Sequence, residues 1–300
     1  DLEAIAAARM PFETVLFEAG PMLAGPLAST ERVEVFSPAT GAVVGHVQHA
    51  SPADVEVALA TAGVWTADAA ARGAVLRRAA DLYEENFGQI FAILAREAGK
   101  TLADAVSELR EAVDFLRYYA DQAQGLTHPP RGVFTCISPW NFPLAIFSGQ
   151  IAAALAAGNA VLAKPAPQTP LIAALAVRLL YQAGVPVQAL QLLPGDASVG
   201  AAVTGDARLA GVAFTGSTQT ALRIRAHMAE HLAPTAPLIA ETGGLNAMLV
   251  DSTALPEQAV RDILASSFQS AGQRCSALRC LYVQEDVAAV VQHMLFGAMD

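Results

Sequence analysis

Apolar residues recur at three- and four-residue spacing along the first 130 residues, which is typical of one face of an α-helix. The clearest stripe falls between residues 72 and 96 and comprises Leu76, Ala80, Tyr83, Phe87, Phe91 and Leu94. We predict that this is one helix and that Gly99 ends it. Further helices are predicted over 53–62, with Ser51 as its N-cap, and over 102–122. Stripes of this kind usually form scaffold.

The pattern changes after Pro129-Pro130, where short apolar runs begin to alternate with helical stretches. We predict strands, in addition to a short one at 43–47, over 132–137, 160–163, 190–193, 211–214, 238–240 and 247–250. The helical stretches are 144–157, 169–183, 197–204, 218–232 and 256–271. This alternation predicts an α/β fold, with a Rossmann-type parallel sheet that carries helices on both faces.

The composition fits a folded protein and narrows its partners. Hydrophobic residues make up 54% and charged residues 15%, which argues against disorder. The net charge of −10 argues against general nucleic-acid binding. The apolar run 151–163 is too short to span a membrane. Three cysteines do not make a disulfide framework and favour the cytoplasm; we expect Cys136 and Cys280 in the core.

Several common fingerprints of α/β enzymes are absent. No two of the 22 glycines are spaced as Gly-x-Gly, so the usual dinucleotide fingerprint is missing. Gly99-Lys100 is no P-loop, because Leu94 stands where the first glycine belongs. No Gly-x-Ser-x-Gly elbow occurs, which removes the usual serine-hydrolase signature. His46 and His49 form a lone His-x-x-His, which we interpret as a surface feature and not a zinc site.

Four polar segments follow predicted strands and a fifth follows a helix. They are 138–143 (Ser-Pro-Trp-Asn-Phe-Pro), 164–166 (Lys-Pro-Ala), 214–217 (Phe-Thr-Gly-Ser), 241–244 (Glu-Thr-Gly-Gly) and 272–276 (Gly-Gln-Arg-Cys-Ser). Ligands of an open parallel sheet bind at the carboxyl ends of its strands. The sequence therefore predicts that these segments serve one site.

The residue types suit attack by a thiol on an electrophilic carbon. Cys275 can attack as a thiolate, and Asn141 with the backbone N–H of Cys275 can stabilise the resulting oxyanion. Glu241 can take a proton from the thiol or from water. A turn at 216–218 that opens a helix can hold a pyrophosphate, and Lys164 can donate to a ribose or phosphate. Taken singly, each has a structural alternative, such as a helix cap for Asn141.

In order and spacing, these five segments resemble the motifs of the aldehyde dehydrogenase superfamily. Longer stretches, 137–147, 237–248 and 270–279, are similar to the L-glutamate γ-semialdehyde (Δ1-pyrroline-5-carboxylate) dehydrogenase domain of the bacterial bifunctional proline utilization A family. The resemblance implies oxidation of L-glutamate γ-semialdehyde to L-glutamate with NAD through a cysteine thioester, the second step of proline catabolism.

The resemblance also implies a role for each residue. Cys275 is the nucleophile, Asn141 holds the oxyanion, and Glu241 activates water. The residues implied in cofactor binding are Ile137, Ser138, Pro139, Trp140, Lys164, Ala166, Gly195, Phe214, Gly216, Ser217, Thr242 and Gly243. Those implied at the substrate are Phe142, Ser276 and Glu97, although Glu97 could equally be a surface acid at a helix end. No metal is implied.

The chain departs from the family pattern in three ways. Pro167 stands where NAD-preferring relatives often carry a glutamate that binds the ribose, so NADP stays an alternative. Ala221 replaces the last glycine of the phosphate turn. Segments that follow the cysteine in the family are absent. We therefore expect an N-terminal arm or linker over 1–35, an NAD(P)-binding domain over 36–245, and an incomplete start of the catalytic domain over 246–300.

The resemblance implies further partners: a proline dehydrogenase domain with FAD on the same polypeptide, and a homo-oligomer at full length. Two alternatives stay open, namely a cofactor-binding chain that lacks catalysis and an aldehyde dehydrogenase for another aldehyde. A cysteine hydrolase is disfavoured, because such enzymes pair cysteine with histidine and both His231 and His293 lie outside every motif.

Overall fold

The computed structural model describes residues 2–300, which form a first unit that ends at Glu241 and a second from Thr242 to Asp300. The predicted domain boundary after residue 245 lies close to this division. The N-terminal arm or linker over 1–35 stays a prediction, and its described residues fall within the first unit. They contain α1 (Leu2–Arg9), β1 (Phe17–Ala19) and most of β2 (Arg32–Phe36). The alternation of Val33 and Val35 is the strand signal that was overlooked.

The first unit contains two sheets. The smaller sheet has the order β1-β3-β2, where β3 (Val43–Gln48) pairs parallel with β1 and antiparallel with β2. The larger sheet has five strands in the order β6-β5-β4-β7-β8. Its strands are β4 (Val133–Ile137), β5 (Ala160–Lys164), β6 (Leu190–Leu192), β7 (Leu209–Gly216) and β8 (Leu238–Thr242). The pairs β4–β5, β4–β7 and β5–β6 are parallel, as predicted.

Helices cover both faces of the larger sheet. They are α2 (Pro52–Thr61), α3 (Ala69–Glu85), α4 (Phe87–Ala98), α5 (Leu102–Gln122), α6 (Ala145–Ala156), α7 (Pro170–Ala183), α8 (Ala197–Thr204) and α9 (Thr218–His231). One core cluster joins α3 to α7 with one face of the sheet, and it includes Cys136. The other joins α2, α8 and α9 with the opposite face. The predicted two-faced α/β fold is therefore confirmed.

Local signals explain several helix ends. Ser51 caps α2 as predicted, because its hydroxyl accepts the N–H of Asp54 at 3.2 Å while the Asp54 carboxylate accepts the N–H of Ser51. Gly99 ends α4 in the left-handed region at φ 66°. The single helix predicted over 72–96 is wrong, since Asn86 separates α3 from α4. Its amide Nδ2 donates to the Leu82 carbonyl at 2.8 Å, which competes with the regular helix bonds.

The second unit is a β–α–β arrangement followed by a helix. Strands β9 (Asn246–Val250) and β10 (Leu278–Val283) pair in parallel, and α10 (Pro256–Phe268) connects them before α11 (Glu285–Met299). Its small core contains Val250, Val260, Ile263, Leu278 and Val291. Cys280, predicted in a core, is only half-buried. No helix among residues 2–300 combines the length and apolar character that a membrane span requires.

The cores predict unequal effects of the same leucine truncation. Leu180→Ala removes a fully buried side chain of α7 from the core cluster that contains α3 to α7, and should lower the free energy of unfolding by about 2–5 kcal/mol. Leu222→Ala on α9, where the leucine is 49% exposed, should change it by less than about 0.5 kcal/mol. Urea unfolding of the intact polypeptide measures both. Equal losses would contradict this description of the core.

Candidate active site

The register of the larger sheet gathers three predicted cofactor residues at one edge. Strand β4 places Ile137 opposite Lys164 of β5 on one side and opposite Phe214 of β7 on the other. The backbone N–H of Ser138 donates to the Lys164 carbonyl at 3.2 Å, so the chain leaves β4 beside the end of β5. The carboxyl ends of three strands therefore meet, as the order of the motifs predicts.

Lys164 ties this edge to the loop after β6. Its ammonium donates to the carbonyl of Gly195 at 2.8 Å and to that of Pro165 at 3.2 Å. Burial lowers the pKa of Lys164 to about 8, although the nearby Asp196 carboxylate acts in the opposite direction. Two of its three donors are used by these carbonyls, which leaves one directed donor for a ligand hydroxyl or phosphate.

The start of α9 offers backbone N–H groups at the same edge. Gly216 ends β7 and Ser217 is the N-cap, whose hydroxyl accepts the N–H of Thr220 at 3.2 Å. An anion at this helix end would be favoured by the free N–H groups and the helix dipole. The Ser217 hydroxyl is committed to the cap, so the backbone is what it offers a pyrophosphate.

Three of the predicted cofactor residues, Phe214, Ala166 and Pro139, are buried. Phe214 is 4% exposed and packs in the core on the α9 side, and Ala166 is 7% exposed. A Cβ at Gly216 would lie 2.6 Å from the Phe214 ring, which explains the glycine. Pro139 is buried as well. Phe214, Ala166 and Pro139 can thus shape the edge through the backbone, whereas their side chains serve the core.

Two polar atoms near this edge have no partner within residues 2–300. The hydroxyl of Ser138 and the Oε1 atom of Gln150 are buried without a hydrogen bond. The amide Nε2 of Gln150 bridges the strand ends, donating to the Ile137 carbonyl at 3.3 Å and to the Thr215 hydroxyl at 3.0 Å. Unsatisfied buried polar atoms are costly, so their presence beside Lys164 fits an edge that receives a polar cofactor.

The segment after β4 carries the predicted oxyanion residue. Trp140 is 44% exposed, whereas Asn141 and Phe142 are half-buried. The ammonium of Lys100 donates to the Asn141 carbonyl at 2.6 Å and lies 4.4 Å from the centre of the Phe142 ring. The backbone of Asn141 is therefore bound by Lys100, just after the end of α4. Asn141 as a whole stays partly accessible to solvent.

Glu97 does not meet the expectation that it contacts substrate. It is 3% exposed, and its carboxylate accepts the N–H of Leu171 at 2.6 Å and that of Ile172 at 3.0 Å. Burial raises its pKa to about 8, which the two N–H donors only partly offset. Glu97 thus caps the start of α7 in the interior. A structural role therefore replaces both the predicted contact with substrate and the alternative of a surface acid.

In the second unit the thiol of Cys275 is exposed in the loop before β10. The amide Nδ2 of Asn246 donates to the Cys275 carbonyl at 2.7 Å and to the Ala277 carbonyl at 3.0 Å. Ser276 between them is exposed. One side chain at the start of β9 thereby fixes the backbone on both sides of Ser276, within reach of the predicted nucleophile.

The approach to this loop is strained. Ser270 and Ala271 have φ values of 55° and 54°, in the left-handed region that residues with a Cβ seldom adopt, and Gly272 follows at φ 67°. Arg279 donates from Nη2 to the Gly272 carbonyl at 2.6 Å. Strain of this kind persists only where surrounding contacts hold it, and it clusters at functional sites.

Glu241, Thr242 and Gly243 fall where one unit ends and the next begins. Glu241 lies in β8 with an exposed side chain, Thr242 ends the strand half-buried, and Gly243 is exposed. An exposed carboxylate at the end of a strand is accessible to water, which suits the predicted base. Over residues 2–300 no group of three metal-ligating side chains is assembled.

The sequence interpretation overlooked three residues that organise these segments. Lys100 and Glu108 hold the chain around Asn141, and Asn246 holds the chain around Cys275. A signal existed for Lys100, since it and Lys164 are the only lysines among 18 basic residues. No comparable signal marks Glu108 or Asn246, because only the fold brings them to their partners.

Comparison with known proteins points to the same family as the sequence motifs. The model of the family described as "Aldehyde dehydrogenase family" matches residues 27–299. Bifunctional protein PutA of Escherichia coli (strain K12) is 54% identical over 297 residues, covering 94% of this chain and 22% of that protein. The 1-pyrroline-5-carboxylate dehydrogenase of Bacillus mycoides (strain KBAB4) is 34% identical over 320 residues, covering 96% of this chain and 61% of that protein.

Solved structures extend the likeness to the fold. A mutant 1-pyrroline-5-carboxylate dehydrogenase of Thermus thermophilus superposes with a TM-score of 0.87 at 30% identity, covering 99% of this chain and 62% of that one. The chain thus spans less than a quarter of the bifunctional relative's length and about three fifths of each dehydrogenase's.

The Glu97 carboxyl predicts a pH dependence of stability. Its pKa is raised in the folded state, so the stability it contributes is complete below the ordinary value of 4.5 and is lost as the pH rises towards about 8. Glu97→Gln should flatten the fall of unfolding free energy between pH 5 and 8, by at most about 1.4 kcal/mol per pH unit. Urea titrations across this range measure it. Parallel curves for both proteins would contradict the raised pKa.

Proposed function

We propose, since this chain belongs to the aldehyde dehydrogenase family, that it carries the cofactor edge and the thiol of an enzyme that oxidises L-glutamate γ-semialdehyde to L-glutamate. The observation that carries the proposal is the exposed Cys275 thiol, on a loop fixed by Asn246, in a chain whose first unit has a Lys164 edge suited to a dinucleotide. Sequence similarity to relatives named PutA and 1-pyrroline-5-carboxylate dehydrogenase supports L-glutamate γ-semialdehyde as the aldehyde.

The reaction divides among four side chains. Cys275 adds as a thiolate to the aldehyde carbon and forms a thiohemiacetal, whose oxyanion the Asn141 carboxamide and the Cys275 N–H stabilise. NAD, when bound, accepts the hydride that leaves the substrate carbon. The resulting thioester stays on Cys275 until Glu241 takes a proton from water, which attacks the acyl carbon and releases glutamate. Asn246 keeps the backbone of the nucleophile in place.

The cofactor would lie along the edge described for the first unit. Lys164 donates to the adenosine ribose, and the backbone of Gly216 and Ser217 receives the pyrophosphate. Pro167, which is exposed, supplies no carboxylate to a ribose hydroxyl, so NADP is the alternative to NAD. Phe142 and Ser276 line the aldehyde's approach.

The proposal extends to a further domain, because the bifunctional relative is much longer than the region that matches this chain. We place a proline dehydrogenase domain with FAD on the same polypeptide, because the bifunctional relative is more than four times as long as the matched region. The intact protein is proposed to be a homo-oligomer of the cytoplasm. The mass of the intact polypeptide tests the first of these statements.

The thiol assignment predicts the outcome of two cysteine substitutions in the intact polypeptide. Cys275→Ser should abolish NADH formation from L-glutamate γ-semialdehyde, because a serine hydroxyl is a far weaker nucleophile at neutral pH. Cys280→Ser, five positions along in β10, should keep most of the activity. An NADH absorbance assay measures both. Full activity of Cys275→Ser would overturn the proposal.

The base assignment predicts a change in the shape of the time course. Glu241→Gln should slow hydrolysis of the thioester more than its formation, so a rapid burst of NADH should precede a slower steady state. Stopped-flow absorbance measures the burst relative to turnover. If that ratio does not rise above the wild-type ratio, Glu241 is not the deacylation base.

A further inference from the structure

One buried ion pair holds both ends of the segment 141–144, the last part of the connection from β4 to α6. The ammonium of Lys100 donates to the Asn141 carbonyl at 2.6 Å, and Oε1 of Glu108 accepts the N–H of Leu144 at 2.8 Å. The ammonium lies 3.1 Å from Oε2 of Glu108. The pair therefore spans the segment that carries the proposed oxyanion residue.

Two helices bring the partners together. Gly99 turns the chain out of α4 in the left-handed region, which directs Lys100 toward the segment, while Glu108 lies on the buried face of α5. The side chains of Lys100 and Glu108 are 8% and 0% exposed. Because both side chains are shielded from water, water competes little for their hydrogen bonds. The position of the pair therefore fixes the position of the backbone groups that it binds.

The ammonium also contacts the next residue of the segment. It lies 4.4 Å from the centre of the Phe142 ring, a cation–π distance. Lys100 thus touches the backbone of the proposed oxyanion residue and the ring of a proposed substrate-lining residue. The Lys100 side chain therefore fixes two adjacent residues, Asn141 and Phe142, on whose positions the proposed reaction depends.

Stability alone explains the pair poorly. Taking two charges out of water costs much of what their attraction returns, and apolar side chains of similar volume often do as well. Apolar side chains, however, would leave the Asn141 carbonyl and the Leu144 N–H without these partners. The pair is better explained by the conformation that it imposes on the segment.

We propose that Lys100 and Glu108 are positioning residues for catalysis, which fix the backbone of Asn141 and Phe142 so that the Asn141 carboxamide meets the oxyanion. The inference rests on the proposed function, in which Asn141 stabilises that oxyanion. Neither Lys100 nor Glu108 touches substrate; both act through the segment between β4 and α6.

The first test separates positioning from folding. In the intact polypeptide, Lys100→Met should lower both the thermal midpoint and the acylation rate, the latter by roughly 10- to 100-fold, as small misplacements of a catalytic group do. Adding Glu108→Gln removes the unpaired buried acid and should recover much of the thermal midpoint. The acylation rate of the double variant should stay low, because the donor to Asn141 is still missing. Recovery of rate together with stability would overturn the inference.

The second test asks whether Lys100 acts through Asn141. If it does, Lys100→Met should change the acylation rate of an Asn141→Ala enzyme by less than about 2-fold, since residues that act as a unit are not additive. Equal fold-losses in both backgrounds would contradict this. Glu97→Gln is the matched control, because Glu97 caps α7 as Glu108 caps α6, but its carboxylate binds the N–H groups of Leu171 and Ile172 and not the segment that carries Asn141. It should lower stability without altering the acylation rate.

The third test does not depend on activity. A crystal structure of the Lys100→Met polypeptide should show residues 141–144 displaced or in more than one conformation, whereas that of Glu97→Gln should show them unchanged. A segment that superposes on the wild type in Lys100→Met would overturn the inference, whatever the reaction. A wild-type enzyme with no aldehyde oxidation would instead contradict the proposed function, so the two failures are distinguishable.

Discussion

The parallel register of β4 with β5 and β7 is the constraint on which the first unit depends. It brings Ile137, Lys164 and Phe214 to one edge, and three of the five sequence motifs lie at the ends of these strands. Shifting β5 by one residue would move its side chains to the opposite face of the sheet, into the other core, and would move Lys164 away from Gly195. The packed helices on both faces, which bury the strands almost completely, are what hold this register.

Buried acidic side chains bind the backbone at the starts of several helices. Glu97 and Glu108 accept backbone N–H groups at the starts of α7 and α6, and Asp54 accepts the N–H of Ser51, the N-cap of α2. Each carboxylate satisfies donors that a helix start leaves without partners. Only Glu108 has a buried cation beside it, and only there does the capped segment carry a residue with a proposed catalytic role. The difference separates structural capping from positioning.

The periodic parts of the fold could be predicted from the sequence, and the irregular parts could not. Helices α5, α7 and α8 and the sheet strands lie within about two residues of their predicted bounds, because long apolar stripes and strand–helix alternation are strong signals. The break at Asn86 depends on a side chain that bonds to its own helix, which spacing does not reveal. The segment motifs mark the carboxyl ends of the sheet strands, but the inward direction of Glu97 follows from tertiary packing with α7.

The proposed mechanism requires that the acyl group of the substrate is carried on Cys275 as a thioester. The intact polypeptide can be mixed with L-glutamate γ-semialdehyde and NAD, quenched in acid within the first turnover, digested and analysed by peptide mass spectrometry. We predict a glutamyl thioester on the peptide that contains Cys275, more abundant in the Glu241→Gln variant. An unlabelled Cys275 peptide while NADH is being formed, or a label on another residue, would show that Cys275 does not carry the acyl group.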